Sequence, residues 1–238
     1  MSNILRQANA LKEAKDTFGV YDEFGWYISP HQWTSVLTDS GTAVAGGVGG
    51  VLTLTNSDGT VADNDEAYVG TTVAMFRPAV NKPLYAEALL QFSEANTSAA
   101  NVAFGLASSV AADLIADNGA GMRASGTVIA IYKVDGETVW RFVTRNGSDV
   151  TISVSDRTAG GAAYQQLGIE VVDVLGSYAT VVPTVDGQSL RDATSGLPIK
   201  HQLLLTSIAA ASLFVGGKNG STTLETSLWD YAGCWQTR

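Results

Sequence analysis

Cysteine is all but missing from this chain. Cys234 is the only one in 238 residues, so no internal disulfide can form. That excludes a small bridge-stapled scaffold and suits a protein folded in a reducing compartment. Between Gly233 and Trp235, Cys234 reads as a small buried hydrophobe. Charge is also scarce, at 16%, and its balance is negative: 14 Lys and Arg against 23 Asp and Glu, a net charge of −9. With no basic run to offset it, such a surface repels phosphate backbones, and nucleic acid is not expected as a partner. Long apolar runs are absent too. No eighteen consecutive apolar residues occur, and the N-terminus MSNILRQANALKEAKD lacks the apolar core of a signal peptide. No membrane association is expected. The two histidines, His31 and His201, lie far apart with no second ligand at metal spacing, so no cofactor is expected.

Glycine, by contrast, is plentiful, and its placement is informative. Asn-Gly or Asp-Gly pairs stand at 58–59, 118–119, 135–136, 146–147, 186–187 and 219–220. A type I′ hairpin turn needs positive φ at both central residues, which these pairs tolerate best. Apolar segments alternate between them. In Leu84–Phe92 the residues Leu84, Ala86, Ala88, Leu90 and Phe92 share one face, with Glu87 and Gln91 on a wet opposite side. Further strands are expected over 20–28, 51–55, 101–107, 127–134, 138–144, 150–154, 167–174, 178–185, 202–206, 212–215 and 224–235. The turn at Asp135-Gly136 should bring Tyr132 and Trp140 near each other. The stretch from Ser108 to Asp117 is expected to form one or two helical turns. No repeat or linker divides the chain, and a length of 238 residues suits one large all-β sandwich.

The beginning differs. Ile4, Leu5, Ala8, Leu11 and Ala14 lie at helical spacing, with Ser2 or Asn3 available as N-cap. A helix this short is marginal alone, so its apolar stripe must dock. It either covers one end of its own sandwich or forms an arm that packs on a neighbouring subunit. The expected organisation is therefore a helical arm over 1–18 and a sandwich over 19–238.

The order of segments resembles the concanavalin A-like jelly roll of legume lectins, laminin-G-like domains and family 16 glycosidases. The likeness rests on Leu167-Gly168-Ile169-Glu170-Val171, the strand ending in Val185-Asp186-Gly187, Leu213-Phe214-Val215-Gly216 and Leu228-Trp229-Asp230-Tyr231. Tyr21-Asp22-Glu23-Phe24 with Trp33 completes it near the start. The fold class implied is an all-β concanavalin A-like jelly-roll sandwich of two antiparallel sheets with a short N-terminal helix. The segments YDEFGWYISPHQW, NDEAYVG, KPLYAEALLQF, NVAFGLA and IYKVDGETVW also resemble jelly-roll structural proteins of tailed bacteriophages. That resemblance implies a virion component made in the host cytoplasm. It implies a capsid decoration or auxiliary protein, bound to the major capsid protein or another virion protein as a homo-oligomer or symmetric array.

Chemistry is hard to find. Family 16 glycosidases carry their carboxylates on one strand as E-x-D-x-(x)-E, and no such run occurs here, so no enzyme and no catalytic residue is expected. Asp63, Asn64, Asp65 and Glu66 could offer oxygens to calcium, yet they lack a recognised loop pattern and read as a solvated turn. The stretch Gly46–Gly50 lacks the Lys-Ser/Thr of a phosphate loop. Partner contacts are expected from Ile4, Leu5, Ala8 and Leu11. The alternative function, a carbohydrate-binding module of a tail or head fibre, would place a glycan on Trp26, Tyr27 and Trp33.

Overall fold

The computed structural model describes residues 17–25, 32–38, 41–44, 49–57, 60–94 and 99–238. Among them the regular structure is entirely β. The strands are β1 (Thr17–Asp22), β2 (Trp33–Leu37), β3 (Thr42–Val44), β4 (Leu52–Thr55), β5 (Glu66–Thr71), β6 (Leu84–Phe92), β7 (Ala100–Ala107), β8 (Ile115–Ala116) and β9 (Gly121–Met122). They continue as β10 (Thr127–Lys133), β11 (Val139–Asn146), β12 (Asp149–Thr158), β13 (Gly161–Leu175), β14 (Tyr178–Val185), β15 (Gln188–Ser189), β16 (His201–Leu204), β17 (Ser212–Asn219) and β18 (Thr226–Thr237).

Two antiparallel sheets result. The nine-stranded one runs β15-β14-β13-β6-β18-β4-β3, with β1 on the C-terminal half of β18 and β16 on the first half of β14. The seven-stranded one runs β12-β11-β10-β7-β17-β5-β2, and β8 and β9 form a separate small hairpin. The first and last described strands are neighbours, from Thr17 opposite Thr237 to Asp22 opposite Ala232. Between the sheets lies the main core. Ala86, Ala88 and Leu90 of β6, Leu167, Ile169 and Val171 of β13, and Ala232 and Cys234 of β18 meet it from one side. Phe104 and Leu106 of β7, Ile129 and Ile131 of β10, Trp140 and Phe142 of β11, and Leu213 and Val215 of β17 meet it from the other. Each large apolar side chain withdrawn from water here contributes about 1.5–3 kcal/mol.

Two of the glycine pairs behave as the turn rule demands. Asn118-Gly119 (φ 55° and 69°) joins β8 to β9, and Asp186-Gly187 (φ 52° and 73°) joins β14 to β15. At 135–136 and 146–147 only the glycine takes positive φ, though both sites turn one strand into the next. Asn219 ends β17 and makes no tight hairpin, and the pair at 58–59 lies outside the described residues.

Several expectations need correction. No helix occurs among the described residues, which corrects the expected class there to an all-β two-sheet sandwich. Thr17 and Phe18, assigned to the arm, already belong to β1; residues 1–16 lie outside the description. Ser108–Asp117 does not form helical turns either, because its apolar residues Leu114 and Ile115 close against a sheet face and Ile115 begins β8. Tyr132 and Trp140 do not meet. Tyr132 sits opposite Arg141, which turns Trp140 inward to the core and Tyr132 outward. The second side of β6 is not wet, since Tyr85 and Glu87 are buried. Strands β2, β3 and β5 carry no clean alternation and were not expected.

His201 opens β16 with its ring buried against Phe142, 4.7 Å between centroids. Its two nitrogens lie 3.0 Å from Thr144 Oγ1 and 3.0 Å from Ser153 Oγ, and a neutral imidazole satisfies both, donating once and accepting once. Burial pushes its pKa down to about 4. As pH falls, the unfolded chain takes up this proton first, near the ordinary value of about 6.5. Stability from this group is therefore complete above about pH 6.5 and is lost as pH falls to about 4, a contribution of about 3 kcal/mol. Urea unfolding of wild type and His201→Gln at pH 7, 5.5 and 4.5 checks this. The wild type should lose stability more steeply, and parallel curves would refute the assignment.

Candidate functional site

The outer face of the nine-stranded sheet carries an organised set of aromatic and polar side chains. Alternation places them there: if Ala86, Ala88, Ala232 and Cys234 face the core, then Tyr85, Glu87, Tyr231, Gly233 and Trp235 must face away. Strand register then builds two rows. Tyr21, Gly233, Glu87 and Gly168 lie side by side across β1, β18, β6 and β13; Gly19, Trp235, Tyr85 and Glu170 form the next row. Glycine makes room for the rings. A Cβ on Gly19 would stand 2.5 Å from the Trp235 ring, and one on Gly233 would stand 2.6 Å from it and 2.9 Å from Tyr21. Trp235 therefore lies across two bare backbone positions.

The rings form a continuous line. Tyr231 and Tyr21 are 5.7 Å apart, Tyr21 and Trp235 are 5.9 Å apart, and Trp235 and Tyr85 are 6.0 Å apart, the last two pairs stacked. Polar groups border them. Tyr85 donates to Glu87 Oε2 at 2.9 Å, and the Gln166 amide donates to the same oxygen and to the Tyr231 hydroxyl, both at 3.0 Å. Tyr21 donates to Glu23 Oε1 at 3.1 Å. Burial, reinforced by the charge of Glu87, drives the Tyr85 and Tyr231 phenols far above their ordinary range, so both stay protonated donors. Burial likewise raises the Glu170 carboxyl. Tyr85, Trp235 and Glu87 form a covered base, whereas Tyr21, Tyr231, Gln166 and Glu170 remain half-buried at the surface. This face offers ring surface for C–H groups beside amide, phenol and carboxylate partners for hydroxyls.

The outer face of the seven-stranded sheet is occupied by the chain itself. Small residues cross its centre in register: Gly70, Gly105 and Ala130 flank Phe214 in one line, and Gly216 and Ala103 adjoin in the next. The segment 108–126 seats on this floor, with Leu114, Ile115 and Met122 closing a second core over Tyr68, Phe214, Val128 and Tyr132. A Cβ on Gly70 would meet Val110 at 2.9 Å. Lys218, 1% exposed, clamps the segment through Asp113 Oδ1 at 2.8 Å and Asp117 Oδ1 at 2.6 Å, with Glu66 Oε2 at 3.4 Å beneath. Both Glu66 oxygens also accept the Asp113 backbone N–H. Burial alone would lower the Lys218 pKa, but hydrogen bonds to Asp113 and Asp117 outweigh it and the net direction is upward.

The residues expected from sequence fall elsewhere. Ile4, Leu5, Ala8, Leu11, Trp26 and Tyr27 lie outside the described residues. Trp33 is in the core at 1% exposure, 5.5 Å from the Phe24 ring, and its indole N–H donates to Asp22 Oδ2 at 2.7 Å. No ring face is left for a glycan. The acidic group at 63–66 splits: Asp65 turns in to accept the Ala62 N–H, while Glu66 joins the Lys218 clamp. Trp235 and Tyr21 were visible as aromatics in sequence, but Tyr85, Glu87 and Gln166 join them only through strand register.

No family model matches the chain, and no curated protein matches it in sequence. Solved structures do match in shape. An endo-1,3-β-glucanase from Streptomyces sioyaensis superposes with a TM-score of 0.59 at 14% identity, over 94% of this chain and 98% of that one. Arcelin-5, a lectin-like defense protein from Phaseolus vulgaris, gives 0.56 at 10% identity over 94% and 100%. A Shewanella oneidensis protein of unknown function gives 0.55 at 12% identity over 100% and 95%. Both lectins and polysaccharide-degrading enzymes share this architecture, and at these identities the likeness speaks for fold alone. The two-sheet sandwich of this protein shares the fold of these lectins and glucanases.

Proposed function

We propose that this protein is a non-enzymatic carbohydrate-recognition module carried on the surface of a tailed-bacteriophage particle. The aromatic row Tyr231-Tyr21-Trp235-Tyr85, bordered by Gln166 and Glu87, is the observation that carries the recognition. A pyranose ring lays its C–H face on Tyr21 and Tyr231 and directs hydroxyls to the Gln166 amide and the Glu170 carboxyl. Glu87 is held by two donors, Tyr85 and Gln166, which suits a binding group more than a free nucleophile. The assignment to a virion rests on the resemblance of the segments quoted above to phage structural proteins. A symmetric array there multiplies a weak single-site affinity.

A glycan array with the intact protein tests this. A defined set of glycans should bind, and Tyr21→Ala and Tyr231→Ala should each weaken binding about tenfold, the loss of about 1.4 kcal/mol of ring contact. The melting temperature should change little, since both rings are half-exposed. Unchanged binding in both variants would discard the face as the site. A second reading, a decoration protein seated on the major capsid protein, is favoured by Val150 and Ile152, 40% and 50% exposed on the edge strand β12. A protein that binds no glycan yet copurifies with virions in hundreds of copies would select it.

A further inference from the structure

A separate pocket opens at one end of the sandwich, where β1 and the end of β18 meet the segment 75–82 and the turns at 176–177 and 205–208. Its volume is about 490 Å³, within the range of about 300–1,000 Å³ that holds small ligands. Phe18, Leu205 and Ile208 give it an apolar floor, and Met75 and Val80, 38% and 48% exposed, extend that surface at the rim. Two cations line it, Arg77 and Lys82, and no acidic side chain does. Among the described residues the ion pairs belong to Lys133, Arg141, Arg157 and Lys218; Arg77 and Lys82 enter none. In a chain of net charge −9, two uncompensated cations on one apolar pocket make a local positive field that attracts anions.

The segment bearing these cations is pre-set. Gln236, 2% exposed, accepts the Arg77 N–H at 2.8 Å and donates to the Arg77 carbonyl and, at 3.5 Å, to that of Lys82. The Lys82 N–H closes a turn on the Ala79 carbonyl at 2.9 Å, with Asn81 at φ 58°. Thr237 N–H holds the Pro83 carbonyl at 3.1 Å. An anion here meets positive groups whose backbone needs no rearrangement, which lowers the cost of binding.

We propose that this pocket binds an amphipathic carboxylate, with an apolar chain on the Phe18, Leu205 and Ile208 floor and the carboxylate between Arg77 and Lys82. The site is distinct from the aromatic face and does not rest on glycan recognition. The test is calorimetric titration of the full chain with dodecanoate, below its micelle concentration, beside dodecyltrimethylammonium and hexanoate. Dodecanoate should bind at least tenfold more tightly than either comparison ligand, and more weakly as salt is raised. The exposed double variant Arg77→Ala/Lys82→Ala should keep the wild-type melting temperature and lose at least tenfold in dodecanoate affinity, while Lys200→Ala should not. Absence of dodecanoate binding, equal affinity for the cationic analogue, or a double variant that binds like wild type would each overturn the proposal. Equal affinity for hexanoate would do so as well, by removing the apolar floor from the interaction.

Discussion

Lys218→Ala is expected to lower the unfolding free energy by about 3–5 kcal/mol, the usual cost of removing one partner from a buried ion pair. Lys218 and Glu66 face each other directly on β17 and β5 and are 1% and 2% exposed. Without the ammonium, Glu66 keeps the Asp113 N–H and the Tyr68 hydroxyl but loses its countercharge, and must either hold an unpaired buried charge or take up a proton. Burial already raises the Glu66 carboxyl. In the variant the folded state therefore binds more protons than the unfolded one, so stability falls with rising pH, and the deficit should shrink as pH is lowered from 7 towards 5. Lys218→Met/Glu66→Gln should recover part of the loss, because neither partner then leaves a charge behind. Hydrogen exchange gives a second readout. Amides of 112–122 should lose protection ahead of the sheet beneath, since Asp113 and Asp117 anchor that segment through Lys218. Uniform loss of protection, or a deficit that does not respond to pH, would show that the clamp is not what holds the segment down.

Gly105→Ala should cost about 4–5 kcal/mol, a large share of the stability of an ordinary domain. Gly105 sits mid-sheet between Phe214 and Ala130, and a Cβ there would lie 2.1 Å from the Ile129 carbonyl oxygen and 2.7 Å from the Ala130 Cα. Both are backbone atoms of the neighbouring strand, so no rotamer change relieves the clash and the sheet itself must part. Gly136→Ala provides the contrast. That glycine has positive φ (80°) but no atom within 4 Å of the added methyl, so the cost is conformational alone, about 1–2 kcal/mol. Denaturant unfolding of the two variants separates steric from torsional demands on glycine. Comparable losses would contradict the packing described for the seven-stranded sheet.

Local chemistry made much of the sandwich legible. Leu84–Phe92 and Tyr178–Val185 match β6 and β14 residue for residue, because alternation and a flanking turn act over a few neighbours. Glu66–Thr71 went unread for the opposite reason: every residue of β5 is buried, on one side by the main core and on the other by segment 108–126, so no alternation remains. The same cover explains why the stretch 108–117 forms no helical turns: its Leu114 and Ile115 pack on Tyr68 and Phe214, distant in sequence.

The candidate site divides along the same line. By itself the amino-acid order settled the antiparallel β class, the lone thiol's inability to form an internal bridge, and the outward parity of Glu87 relative to Ala86 and Ala88. Those properties follow from composition and a period of two. Only the folded molecule decided that Tyr21, Tyr85, Gln166, Tyr231 and Trp235 share one patch, that Trp33 is sealed inside, and that Arg77 and Lys82 face an apolar hollow without acids. Each of those depends on which strand lies beside which and in what register. That is fixed by burial summed over both sheets, which no short stretch of chain contains.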